Sequence, residues 1–326
     1  MKRIMYMLFI AVLLTGGLAG CGNTERKAKE RVKIGIMLSD VGLGDQSFSD
    51  AAFAGLTKAR DELDILFDYR ELQQTGSYEK GFTELVEDGN DLVIGLGFMV
   101  LADLEKVAKK YPEQQFILVD SVSELKNITS ITFKEEQGSF LAGAVAGMVT
   151  KSKVVGFVGG ADVPLIHKFK AGFEQGVKTV NPAAEVKVAY SEDFGNADLG
   201  GEIAAGMIDQ GADVLYAAAG FTGVGVLKEA QARKKFAIGV DSDQYFFAEK
   251  AIITSMLKNV DIALYDAIKE FKNGKKLGDR QIELGIEEQG VGLAPVRVIK
   301  LSPEQERNLK ELETKLAANK VSILLD

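Results

Sequence analysis

Histidine and cysteine each occur once among the 326 residues, tryptophan does not occur, and proline occurs five times. One His cannot supply a two-His metal site. One Cys cannot form an internal disulfide or a four-Cys zinc site. So few prolines exclude Pro-rich linkers and collagen-like repeats. Positive charge is in the minority, with 39 Lys and Arg against 47 Asp and Glu and a net charge of −8. Nucleic acid is therefore not an expected partner, because phosphate binding needs clustered Lys and Arg. What remains is ordinary globular composition, 46% hydrophobic and 26% charged, on a chain long enough for roughly two domains.

The first residues form an export signal. Lys2 and Arg3 precede an apolar run from Ile4 to Leu14, and small residues follow. The run is too short for a comfortable membrane span, which takes about 20 apolar residues. Leu18-Ala19-Gly20-Cys21 resembles the lipobox of bacterial lipoproteins. That resemblance implies cleavage before Cys21 and acylation of its thiol, which would tie the protein to a membrane surface. Loss of Lys2 and Arg3 would take the net charge from −8 to −10. Polar residues 22–30 read as a tether. After residue 21 no uninterrupted apolar stretch is long enough to cross a membrane.

The rest of the chain alternates short apolar runs with amphipathic stretches. Strands are expected at 32–39, 65–71, 91–96, 115–119, 128–133, 153–159, 185–191, 213–218, 235–240 and 252–257. Helices are expected at 47–62, 76–88, 99–111, 136–151, 164–180, 198–210, 222–234 and 260–273. Apolar runs such as Leu92-Val93-Ile94 suit parallel strands buried on both faces, and the alternation reads as doubly wound α/β.

The pattern also repeats. Residues 91–120 and 213–241 both open with Asp and a strand, reach a Gly-Phe pair (Gly97-Phe98 and Gly220-Phe221), and end in Val-Asp at Asp120 and Asp241. Lys33 to Asp40 matches Lys153 to Asp162 more faintly. A duplication into two facing α/β lobes follows. Ligands of open α/β sheets bind beyond the carboxyl ends of the strands. Candidate site residues are therefore Asp40, Asp45, Phe98, Asp120, Asp193, Phe194, Phe221, Asp241 and Lys258.

Phenyl walls and carboxylate acceptors suit a neutral or cationic ligand with an aromatic ring and a sugar. A nucleoside fits, and a nucleotide fits less well because the acidic lining repels phosphate. Each Asp could instead cap a helix or close a turn, and Phe98 and Phe221 could be core residues. Phe48 and Phe53 share a helix with Ala52 and Leu56, so one of the two is expected in the core.

Catalytic constellations are scarce. His167 opens an amphipathic helix with no Ser or Cys nucleophile suggested nearby, and reads as a surface residue. Gly156-Phe157-Val158-Gly159-Gly160 and Gly220-Phe221-Thr222-Gly223-Val224-Gly225 match neither G-x-G-x-x-G nor a P-loop. No metal and no cofactor is expected.

Several segments together resemble the basic membrane protein (PnrA-like) family of lipoproteins. They are Asp45–Ser49, Phe53–Leu56, residues 133–148 (FKEEQGSFLAGAVAGM), Gly156–Gly160, Ala217–Gly225, Gly239–Gln244 and Thr254–Asp261. The resemblance covers essentially the whole mature chain. It implies a type I periplasmic-binding-protein-like fold, with two Rossmann-like lobes, crossovers and a ligand cleft between them. It implies a purine nucleoside receptor for an ABC importer, not an enzyme, monomeric, with an ABC permease as partner and a lipid anchor on the extracytoplasmic face of the cell membrane. Carried over by position, Asp45 and Phe53 lie on the first-lobe wall, and Asp120 matches the Asp that closes the fourth strand. Phe221 lies in the segment that supplies the second stacking ring but stands where many members have Gly, which leaves Phe48 and Phe194 as alternative stacking rings, and Asp241 with Lys258 matches the ribose-binding pair. Gln46 and Ser49 stand where the family has Lys and Asn, which leaves guanosine, adenosine and inosine all open.

The expected organisation is an export signal over 1–20 and lipidated Cys21 with its tether over 21–31. A first lobe over 32–150, with part of 255–295, and a second over 151–254, with part of 280–326, complete the chain. The alternative functions are a membrane-tethered ligand-sensing regulator and a binding protein for another small solute.

Overall fold

The apolar runs become the inner strands of two six-stranded sheets. The structure, a computed structural model, describes residues 31–325; the export signal and Cys21 lie outside the described residues. The first sheet holds β1 (Lys33–Met37), β2 (Leu66–Arg70), β3 (Leu92–Leu96), β4 (Gln115–Val119) and β5 (Ile128–Phe133). The second holds β6 (Val154–Gly159), β7 (Glu185–Tyr190), β8 (Val214–Ala218), β9 (Phe236–Asp241) and β10 (Ile252–Lys258). Two later strands complete them: β11 (Gln281–Leu284) beside β5, and β12 (Val291–Leu293) beside β10.

The spatial orders, β2-β1-β3-β4-β5-β11 and β7-β6-β8-β9-β10-β12, are the same order twice. Pairing is parallel throughout except for β12, which runs antiparallel to β10. Central β3 and β8 are buried at every position, as parallel strands covered on both faces must be. Outer β2 and β7 carry Asp68, Arg70, Glu185 and Lys187, charges that blunt an open sheet edge.

Helices cover the sheets. In α1 (Phe48–Leu63) the buried positions Ser49, Ala52, Leu56 and Ala59 recur every three or four residues, which makes one apolar stripe. A single turn, α2 (Leu72–Thr75), precedes α3 (Tyr78–Glu87), whose first turn is capped by the Ser77 hydroxyl accepting from the Lys80 N–H. The remaining helices are α4 (Leu101–Lys110), α5 (Glu135–Val149), α6 (Pro164–Val180), α7 (Ala197–Asp209), α8 (Gly220–Ala232), α9 (Val260–Lys272) and α10 (Pro303–Ala317). The last has a Ser302–Gln305 capping box. Strands β11 and β12 fall beyond the expected elements, because four- and three-residue strands carry no readable alternation, and helix α10 lies beyond them too, although Ser302-Pro303 and Gln305 mark its start.

Three connections pass between the sheets: β5 to α5, β10 through α9 to β11, and β11 to β12. The first two exchange helices. Helix α5 follows a strand of the first sheet but packs on α6, β10 and β12 of the second. A Cβ on Gly143 would overlap the Phe173 carbonyl, and one on Gly172 the Glu136 carbonyl, so α5 and α6 touch backbone to backbone. Conversely, α9 follows β10 and packs on α1. Residues 135–149, expected in the first lobe, thus lie against the second.

Candidate functional site

The carboxyl ends of both sheets border one cavity. It holds about 640 Å³ of space not filled by atoms, open solvent at its mouth included. Of the residues expected there, Asp45, Phe48, Asp120, Phe194, Asp241 and Lys258 line it, as do Asp40 and Phe98. Phe169, Leu165, Ile166 and Met99 add apolar wall.

Two expected rings lie elsewhere. Phe53 stacks edge-on against Phe67 and Tyr69, with centroids 5.3 and 5.7 Å away. Five residues along a helix turn it about 140° from Phe48, which takes it off the cavity face. Phe221 is half-buried and outside the lining, which Ala219 and Gly220 form at this point. Gly220 has a left-handed φ of 54°, and its Cβ position would lie 3.1 Å from the Phe194 carbonyl. The ring that enters from this side is Phe194, in space left by Gly160, where a Cβ would overlap it.

Asp45 sits where the chain enters α1. Its carboxylate accepts from the N–H groups of Ser47 (2.9 Å), Ser49 (2.6 Å) and Asp50 (3.1 Å). It therefore anchors the helix start and lines the cavity at once. Burial outweighs those donors and pushes its pKa up to about 6, with nearby Asp241 adding to the rise. Asp193 closes a turn, accepting from the Gly195 N–H at 2.7 Å.

Lys258, 2% exposed, forms the electrostatic centre. Its Nζ lies 2.6 Å from Asp120 Oδ2 and 3.1 Å from Glu135 Oε1. The rings of Phe48, Phe133 and Phe169 surround it, with centroids 5.0, 5.1 and 5.6 Å away. Burial works against the ammonium, but Asp120, Glu135 and Asp241 overcome it and raise its pKa. Burial likewise raises Asp241, against Lys258 and Ser47. Asp120 is pushed up to about 6 by burial, opposed by Lys258 and helped by Glu135. Its other oxygen, Oδ1, is buried without a hydrogen-bond partner.

Besides the Lys258–Asp120 contact, hydrogen bonds from the start of α1 reach the second lobe. The Ser47 hydroxyl donates to Asp241 Oδ2, and Gln244 Nε2 donates to the Gln46 carbonyl at 3.0 Å. His167 pairs with Asp162, is about a third exposed, and lies outside the cavity lining. Among the described residues no cluster of three His, Cys, Asp or Glu is placed to hold a metal, and no helix is long and apolar enough to cross a membrane.

The sequence reading missed Glu135, Ser47 and Phe169. An acidic pair, Glu135-Glu136, heading a mostly apolar helix was the available signal for Glu135.

A family model described as "Bmp: ABC transporter substrate-binding protein PnrA-like" matches residues 32–323. The chain belongs to this family. Its Bmp relatives include a CD4+ T-cell-stimulating antigen of Listeria monocytogenes, 34% identical over 90% of this chain and 91% of that one. The ABC transporter nucleoside-binding protein BmpA of Lactococcus lactis is 30% identical over 90% and 91%. A lipoprotein of Pyrococcus abyssi is 34% identical over 89% and 76%. Among solved structures, an ABC transporter solute-binding protein from Aeropyrum pernix superposes with a TM-score of 0.83 at 28% identity, covering 91% of this chain and 94% of that one. The Bmp protein described here is thus an ABC transporter substrate-binding protein with the type I solute-binding fold.

Proposed function

We propose that this protein captures a purine nucleoside (guanosine, adenosine or inosine) by lobe closure and delivers it to an ABC permease. It acts as a monomer, held by lipid on Cys21 at the extracytoplasmic face of the cell membrane. The observation that carries the reading is the unpartnered Asp120 Oδ1, buried on the wall of a cavity faced by Phe48, Phe98, Phe169 and Phe194. A buried acceptor without a donor costs free energy, and an N–H or O–H of the ligand would recover it. Phenyl faces suit a flat base. Asp241 offers a carboxylate for two sugar hydroxyls. Lys258 is already matched by Asp120 and Glu135, so little positive charge is left for a phosphate.

Two contacts between the walls support closure. The Ser47–Asp241 and Gln46–Gln244 bonds exist only while the lobes meet. A ligand touching both walls favours that state, and the closed state is what docks on the permease. The test is calorimetry of the mature protein, unfolded and refolded to strip carried ligand, against guanosine, adenosine, inosine, cytidine and ribose. Tight purine nucleoside binding without turnover is expected. No binding to any of them overturns the nucleoside reading and leaves the solute-binding fold. For the anchor, Cys21→Ala is expected to release the protein from the membrane fraction.

A further inference from the structure

The ion pairs of Lys258 belong to two different mechanical parts. Lys258 ends β10, and β10 packs on α5, which begins with Glu135. Helix α5 is in turn locked to α6 by the glycine contacts at Gly143 and Gly172. Glu135 is held from α6 as well: Lys168 Nζ lies 3.3 Å from its Oε2 and donates to the Phe133 carbonyl at 3.1 Å. Glu135 and Lys258 therefore pair inside the second packed body, while Lys168 ties Glu135 to α6 and also reaches the end of β5 in the first sheet. Asp120, by contrast, follows β4 of the first sheet. The 2.6 Å Lys258–Asp120 pair crosses between bodies.

We infer that Glu135 is a positioning residue that keeps the Lys258 ammonium paired and aimed at the ligand while the lobes are apart. Separation of the lobes breaks the Asp120 pair and preserves the Glu135 pair. Phe169, on α6 of the second body, covers the ammonium with its ring centroid 5.6 Å away and still shields it from water when the lobes part, so a counter-ion on that side lowers its cost. Asp241 also lies in the second body and attracts Lys258, but it faces Ser47 and the cavity. Among the described residues, the ion pairs of Lys258 are with Asp120 and Glu135.

A directional consequence follows. Without the Glu135 charge, the open state alone loses its counter-ion, while the closed state keeps Asp120. Glu135→Gln should therefore shift the ligand-free protein towards closure. Closed protein cannot admit ligand, so association slows in proportion to the open fraction lost. Dissociation changes less. A merely structural role would loosen the site and speed dissociation instead.

The test measures the distance between spin labels at Glu113→Cys and Ala232→Cys in the mature protein carrying Cys21→Ser, without ligand. Glu135→Gln is expected to enrich the short-distance population by threefold or more, with Glu135→Asp restoring it in part. Glu135→Asp, which keeps the charge but shortens its reach to Lys258, should give a weaker shift of the same sign and carries the test if Glu135→Gln does not fold. An unchanged or lengthened distribution in these variants overturns the inference. This arm needs no ligand. The association-rate arm, with inosine as the ligand, rests on the nucleoside reading; if wild-type protein ignores inosine, that reading fails and the distance result still decides the role of Glu135.

Discussion

Asp120 and Asp241 occupy the same station in the two sheets. Each follows a valine at the end of a fourth strand, and each has a left-handed backbone, with φ of 68° and 64°. Among non-glycine residues that conformation is uncommon and is met most often by Asn and Asp. It recurs here at two cavity-lining carboxylates that both act on one buried ammonium, Lys258.

The two carboxylates are not equivalent. Asp241 accepts from Ser47, whereas Asp120 has an oxygen without a donor. Asp120→Asn should lower purine nucleoside affinity by about tenfold or more, since a hydrogen bond to a charged group contributes roughly 1.5–3 kcal/mol. Calorimetry at pH 7.5 reads this directly. An unchanged Kd would remove Asp120 from the binding surface.

Protonation has opposite effects on binding and on stability. Asp45 and Asp120 both have pKa values near 6 in the folded protein, above the ordinary 3.8. A carboxyl raised on folding holds its proton more tightly in the native state. Its contribution to stability is present below about pH 4 and is lost as pH rises through about 6. Nucleoside affinity runs the other way and should fall between pH 7 and 5, because the protonated carboxyls no longer accept freely. Asn imitates the protonated Asp120. The Tm of wild type relative to Asp120→Asn should therefore rise from pH 7.5 to pH 5, as calorimetric scans would show.

The aromatic residues divide by role. Phe53→Ala should cost stability, about 1–3 kcal/mol for a half-buried ring in an aromatic cluster, with nucleoside affinity unchanged. Phe194→Ala should weaken binding by about tenfold at little cost to stability. Urea denaturation beside calorimetry separates the two, and the reverse pattern would restore Phe53 to the site.

The hydroxyl of Ser47 bridges the lobes at Asp241. Ser47→Ala removes a contact made only on closure, so ligand should leave faster. A rise in Kd of roughly threefold to tenfold is expected for one hydrogen bond, with association little changed. Stopped-flow kinetics would show it, and an effect confined to association would contradict a closure contact.

Local pattern and repetition made much of this protein legible. Apolar runs such as Leu92–Leu96 and Val214–Ala218 mark buried parallel strands wherever they occur, because both faces of such strands must be covered. The paired endings Val119-Asp120 and Val240-Asp241 locate the two strand ends that border the cleft. These signals are carried by neighbours in the chain, so the sequence alone determined the α/β class and the repeat.

Tertiary structure decided the rest. Phe48 faces the cavity and Phe53 does not, because the helix rotates one of them away. Phe194 enters rather than Phe221, because Gly160 leaves room for its ring. Helix 135–149 serves the second sheet although it follows the first, because its glycines admit α6. Lys258 gathers Asp120 and Glu135 from positions more than a hundred residues distant. No local periodicity encodes such meetings. They depend on which surfaces approach, and on whether the atoms already there leave space for a side chain and a partner for its charge.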